Sequence, residues 1–144
     1  MNTPDLAYEQ FDEPPSAVLR VIDAGLESHN QAAAPIVDVR PLAVTAVLPS
    51  GEIIGGAVGR TWGACCELLK LWVHPDYRGA GTASRLLVQF EAMGTARGCH
   101  TFYLTTLSYQ APEFYRKRGY AALAEISGYP DGIIKYLMHK STVS

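Results

Sequence analysis

The eleven residues from Val73 to Ala83 (VHPDYRGAGTA) carry the clearest chemistry in this sequence. An apolar run, Glu67 to Val73, feeds a turn with Gly79 and Gly81, and a helix-period segment opens directly behind it. At such a junction several backbone N–H groups have no intrahelical acceptor, and the helix dipole adds partial positive charge. Glycines let the chain approach a ligand without a Cβ in the way, so the turn suits a pyrophosphate. Arg78 adds a formal charge at its mouth. The plainer alternative is an ordinary helix start. The turn is not a P-loop, since no Gly-Lys-Ser/Thr follows. Nor is it a dinucleotide fingerprint, which needs a third glycine and a later ribose-binding acid.

Other reactive side chains are less organised. Glu67 is a charge at the head of an apolar strand candidate, a costly placement unless it faces a cleft or water. His29, His74, His100 and His139 are scattered, with no metal-ligand spacing among themselves or with Cys99, so no metal is expected. Cys65 and Cys66 lie on a strand and read as core, and no Gly-x-Ser-x-Gly elbow supports a serine nucleophile.

The elements that must position these residues follow from pattern. Pro14-Pro15-Ser16 reads as a stop and a helix N-cap, with Val18, Leu19, Ile22 and Leu26 at helical spacing behind it. Ala32 to Pro41 reads as a loop. Leu42–Leu48 and Ile53–Thr61 form two antiparallel strands around the turn Pro49-Ser50-Gly51-Glu52. Glu67–Val73 is a third strand. The helix behind Gly81 runs to about Arg97, burying Ala83, Leu86, Leu87, Phe90, Met93 and Ala96, with Gly98 as its C′ residue. Thr101–Thr106 is strand-like, and Ala111–Arg118 is a short helix that Gly119 ends. Tyr120–Ile126 and Ile133–Met138 are strands around Tyr129-Pro130-Asp131-Gly132. The order α, ββ, β, α, β, α, ββ predicts an α/β domain with a mixed sheet.

Composition narrows the function classes. At 144 residues with 48% hydrophobic and 18% charged, the chain is expected to be one domain, 1–144, with a real core. A net charge of −2 leaves no global basic footprint, so no nucleic-acid partner is expected. No apolar run approaches about 18 residues, Met1–Gln10 lacks signal-peptide chemistry, and three cysteines make no disulfide framework. These features predict a soluble cytoplasmic protein with no membrane partner. The mean charge hides an asymmetry. Residues 1–38 hold seven acids and the single base Arg20, whereas Lys70–Arg118 holds seven bases against three acids. Such a split fits a cation facing the first part and an anion facing the second, or two solvated surfaces of opposite sign.

Arg78-Gly79-Ala80-Gly81-Thr82-Ala83 resembles the Gln/Arg-x-x-Gly-x-Gly/Ala signature of the GNAT superfamily of acetyl-CoA-dependent N-acetyltransferases. A second block, Ala111-Pro112-Glu113-Phe114-Tyr115-Arg116-Lys117-Arg118-Gly119-Tyr120, is similar to that family's Ala-x-x-x-Tyr-x-x-x-Gly-Phe/Tyr block at matching separation. Together they span roughly Ile53–Lys140, about two thirds of the chain. Leu71-Trp72-Val73-His74-Pro75 resembles a subgroup of small bacterial members. The resemblance implies a mostly antiparallel mixed sheet of six or seven strands with helices on both faces. It would splay at its fourth and fifth strands, here Glu67–Val73 and Thr101–Thr106, with acetyl-CoA in the cleft. The backbone of Leu71, Trp72 and Val73 would pair with the pantetheine arm and polarise the thioester carbonyl. The pyrophosphate would rest on amides of Gly79, Ala80, Gly81, Thr82 and Ala83. Arg78 and Arg118 would supply charge for it, and Ala111 would also contact the cofactor. For the cluster Arg116–Arg118, favourable placement at a helix C-terminus is the simpler account.

Transfer of an acetyl group to an amine needs a deprotonated nucleophile, donors for the oxyanion and an acid for the leaving thiolate. The resemblance assigns Tyr115, four residues before Gly119, as that acid, and Glu67 as the base, with ordered waters the alternative relay. The family often has Asn seven residues before this tyrosine. Here Ser108 stands there, with Gln110 nearby, and either could replace that polar contact to the cofactor. The expected acceptor is a primary amine on a small molecule or protein, met by residues 1–38 and the Tyr109 loop. An acidic lip there would favour a polyamine, an aminoglycoside-like amine or a lysine. The competing class is a non-catalytic acyl-CoA-binding module, which needs neither Tyr115 nor Glu67. The strand Ile133–Met138 either pairs across a homodimer axis or closes the sheet edge.

Overall fold

The computed structural model describes residues 4–34 and 38–143. The chain has two compact units, Met1–Val37 and Asp38–Ser144. The first holds helix α1 (Ser16–Ala33), which contributes no buried side chain. Pro15 is its N-cap and Ser16 its first helical residue, so the expected serine cap hydrogen bond does not form. None of the described helices is long and apolar enough to cross a membrane.

The second unit holds β1 (Arg40–Val47), β2 (Ile53–Trp62), β3 (Cys65–Val73), α2 (Thr82–Ala96), β4 (Thr101–Leu107), α3 (Pro112–Arg116), β5 (Ala121–Ile126) and β6 (Lys135–Ser141). This is the predicted order, and the boundaries move by a few residues. Six strands form one mixed sheet in the order β1-β2-β3-β4-β6-β5. Every pairing is antiparallel except β3 with β4, which the crossover through α2 makes parallel. The two strands expected to splay are thus the third and fourth in chain order. The last strand departs from expectation. β6 lies between β4 and β5 with both edges paired, so it neither closes the sheet nor offers an edge to a second copy. The edges are β1 and β5, and β5 is exposed along its whole length.

The core lies between α2 and the sheet, around Ala57, Leu87, Phe90, Phe102, Leu104 and Met138. The buried face of α2 is Leu86, Leu87, Phe90 and Gly94. Ala83 is half-buried, while Met93 and Ala96, expected inside, are exposed. Gly94 explains the rotation. A Cβ there would stand 2.9 Å from the Phe102 ring and 3.0 Å from Cys66 Sγ, so the helix comes down on β3 and β4 at its one residue without a side chain. The helix ends as expected at Gly98 (φ +90°), with Gly98 N–H donating to Thr95 O at 2.9 Å and Cys99 N–H to Gly94 O at 2.9 Å.

Candidate active site

The site is made by a pairing that stops. β3 and β4 are in register for three residues, Cys65 with Thr101, Cys66 with Phe102 and Glu67 with Tyr103. Beyond that point the two strands separate. On the other side of β3, the pairing with β2 skips a residue, passing from Val58–Lys70 to Gly59–Leu68. The unpaired Leu69 reverses the alternation of β3, so Cys66 and Leu68 face inward before the bulge and Leu71 and Val73 after it. Gly59 permits this approach, since a Cβ there would lie 2.0 Å from Glu67 O and 2.6 Å from the Phe90 ring.

A cleft of about 580 Å³ fills the split, walled by Leu68–Val73 of β3, Leu104–Thr106 of β4, and Gln110, Ala111, Phe114 and Tyr115. A second hollow of about 310 Å³ shares Val73, Arg78, Ala83 and Phe114 with it and is otherwise lined by Tyr77, Gly79, Gly81, Thr82, Ser84 and Arg118. At this end the chain turns through Gly79 (φ +84°) and Gly81 (φ +81°), and Gly81 caps α2 with no side-chain acceptor. The first helical hydrogen bond is Arg85 N–H to Gly81 O, which leaves the amides of Thr82, Ala83 and Ser84 without a helical acceptor. Arg78 is held across the mouth by its Nε donating to Val73 O at 2.8 Å. Arg118 donates to Ser84 Oγ and to Phe114 O, its guanidinium 3.8 Å over the Phe114 ring. Free amides, positive-φ glycines and two guanidinium groups converging on one hollow fit a pyrophosphate.

Tyr115 lies in the wall of the cleft, 8% exposed, its ring edge-on to Phe114 and Tyr120. Its hydroxyl makes no side-chain hydrogen bond among the described residues, and the side chain lines the cleft. Burial pushes its pKa up, which keeps the phenol protonated at neutral pH. Tyr120, by contrast, is tied down. Its hydroxyl donates to Glu91 Oε2 at 2.7 Å, and Glu91 also pairs with Lys140 at 3.1 Å.

The remaining expected residues separate. Leu71, Trp72, Val73, Arg78, Gly79, Gly81, Thr82, Ala83, Ala111, Tyr115 and Arg118 come together around the two hollows. Ala80 is exposed in the turn and lines neither. Ser108 is elsewhere, its Oγ accepting from Ile134 N–H at 3.0 Å, where it fixes the start of β6. Gln110 lines the cleft in its place, with Oε1 accepting from Leu107 N–H at 2.8 Å. Glu67 sits on the paired stretch of β3, bonded to Arg60 at 2.9 Å, and does not line the cleft. Tyr109 is exposed in the turn after β4. Arg116 lies in the last turn of α3, the helix C-terminal placement given as its simpler account, and also pairs with Glu113 one turn earlier. Sequence reasoning missed Lys70, Leu69 and Thr105 as wall residues, since only the bulge and the split bring them there.

Residues 42–122 match the family described as acetyltransferase (GNAT) domain. The chain belongs to the GNAT acetyltransferases. It is 38% identical over 110 residues to blasticidin-S acetyltransferase of Streptomyces morookaense, covering 74% of this chain and 81% of that one. Its fold is similar to the crystal structure of an acetyltransferase from Bacillus cereus (TM-score 0.78, 24% identity, 92% of this chain and 97% of that one). It is also similar in fold to a candidate streptothricin acetyltransferase from Bacillus anthracis str. Ames solved in complex with acetyl coenzyme A (TM-score 0.63, 20% identity, 72% and 64%).

Proposed function

We propose that this GNAT domain moves an acetyl group from acetyl-CoA to a primary amine on a small molecule, by direct attack in a ternary complex. The reading is supported by one observation, two adjoining hollows at the β3–β4 split, lined by strand backbone released from pairing, a helix start with free amides, and Tyr115. The backbone of Leu71–Val73 would hold the pantetheine arm and donate to the thioester oxygen as it gains charge. Gly79–Ala83, Arg78 and Arg118 would hold the phosphates. Tyr115 would donate its proton to the thiolate that leaves when the C–S bond breaks and the C–N bond forms.

The amine's own proton has a less defined route. Among the described residues no Asp or Glu lines the cleft, and Glu67 would have to exchange Arg60 for substrate to act as base. Water is the simpler carrier. That the relative from Streptomyces morookaense is an acetyltransferase of blasticidin S supports a small-molecule acceptor over a protein.

Calorimetric titration of acetyl-CoA, and separately of coenzyme A, tests the donor half, with micromolar binding (about −8 kcal/mol) expected for each. Absence of binding by either would leave the Arg78–Ala83 turn as a helix start alone. Tyr115→Phe keeps the packing and removes the proton. It should lower kcat about a hundredfold with little change in acetyl-CoA affinity. Turnover equal to wild type would remove Tyr115 from the mechanism.

A further inference from the structure

The charges along the cleft are one-sided. Lys70 and Arg78 line it, and among the described residues no carboxylate does. Arg78 is held at the phosphate end by its bond to Val73 O. Lys70 is different, exposed and in no ion pair among the described residues. It stands two residues from Trp72 on β3, past the bulge, where Leu71 and Val73 point to the core. Strand alternation therefore puts Lys70 and Trp72 on the same, opposite face, about 6.6 Å apart along the strand. The Trp72 ring meets His74 edge-on, with centroids 6.0 Å apart at 75°, and is 49% exposed. Its partner across β2 is Gly56, which has no side chain to cover the indole.

We propose that Lys70 and the Trp72 indole select the acceptor. It would be an amine whose molecule also carries a carboxylate for Lys70 and a flat ring for Trp72, that is, an aromatic aminocarboxylate. The inference rests on the acetyl-transfer reading and adds the acceptor class to it. An aromatic α-amino acid spans the Lys70–Trp72 spacing between its carboxylate and its ring. A cationic wall also disfavours the ammonium form of a bound amine. An α-ammonium group is still more acidic than the ammonium of a lysine side chain (pKa about 10.4), so it loses that proton more readily. A polyamine would bring several positive charges to a wall with no carboxylate to receive them. The backbone of Trp72 faces the donor under this assignment, and its side chain faces the acceptor.

The test is calorimetric titration of L-tryptophan, tryptamine and L-alanine into the full chain saturated with coenzyme A, where no turnover occurs. L-Tryptophan should bind about fivefold tighter than tryptamine, as an exposed ion pair allows, and about fivefold tighter than L-alanine, as ring stacking allows. Lys70→Met should equalise tryptophan and tryptamine, and Lys70→Glu should reverse their order. Trp72→Ala should bring tryptophan down to alanine. Because each readout is a ratio within one protein, a general loss of affinity does not imitate the result. Tryptamine binding as well as tryptophan overturns the proposal, as does a ratio that neither Lys70 variant moves, or no binding of any of the three while coenzyme A binds. Failure of coenzyme A itself to bind would instead defeat the acetyl-transfer reading, and the acceptor assignment with it.

Discussion

β3 and β4 are one strand pair with two different ends. At the Cys65–Glu67 end they are hydrogen-bonded to each other, and their side chains are occupied with structure. Cys66 packs against Gly94 of α2, Cys99 Sγ approaches Cys65 O at 3.4 Å, and Glu67 pairs with Arg60. At the Leu68–Val73 end the same strands have parted, and the wall between them is backbone, Lys70, Trp72 and the Tyr115 phenol. The difference between the ends is not composition, since both are mostly apolar. It is where the backbone hydrogen bonds go. A strand paired on both sides has no N–H left for a ligand, whereas one released on a single side has a row of them beside a hydrophobic trench.

Gly59 is the sharpest place to break this contrast. It stands where β2 meets the bulge, and a Cβ there would collide with Glu67 O, a backbone atom that cannot rotate away. Gly59→Ala should cost about 3 kcal/mol or more, and about 10 °C in Tm, by thermal denaturation. A variant as stable as wild type would show that the bulge does not depend on this approach. Next in size is the hundredfold fall in kcat for Tyr115→Phe. Arg78→Ala follows, with acetyl-CoA affinity down about tenfold by calorimetry and the loss shrinking as salt is raised. Unchanged affinity would make Arg78 a merely solvated charge.

What the sequence disclosed of all this was its local part. The strand–turn–helix at Val73–Ala83 and the tyrosine four residues before Gly119 are legible because their geometry is set by near neighbours. The element order was legible for the same reason. The bulge at Leu69 was not, because it exists only in the register between β2 and β3, and nothing local to ELLKLWV marks it. Exchanging Ser108 for Gln110 in the cleft depends on how β4 ends and where β6 returns, a long-range matter. The buried face of α2 was misjudged by residue type. Helical periodicity favours Met93 and Ala96, but the tight fit to Cys66 and Phe102 is made by Gly94, whose value lies in what it lacks. The position of β6 between β4 and β5 has no counterpart in chain order at all.

The paired end predicts a pH effect. Burial pushes the Cys66 thiol up to about 12 from an ordinary value near 9, and Cys99 is raised by the same cause. A raised pKa in an acidic group means the folded chain keeps a proton that the unfolded chain gives up. That contribution is intact below pH 9 and lost as pH rises toward 12, since the unfolded state binds fewer protons there. Between pH 9 and 10, before tyrosines of the unfolded chain join in, stability from urea denaturation should fall by about 1 kcal/mol. Cys66→Ala starts lower and declines less steeply. An equal slope in both proteins would put the alkaline loss elsewhere.

Glu67 carries the smallest expected effect and marks the boundary itself. It is the last residue of β3 paired to β4, its carboxylate bonded to Arg60 rather than turned into the cleft. If the paired end is purely structural, Glu67→Gln keeps kcat within about threefold and costs less than about 1 kcal/mol of stability, the worth of a partly exposed ion pair. A fall of a hundredfold or more, steepest at low pH where the amine is protonated, would mean that substrate draws the carboxylate from Arg60. The catalytic half of the strand pair would then begin one residue earlier, inside the region where the strands are still joined.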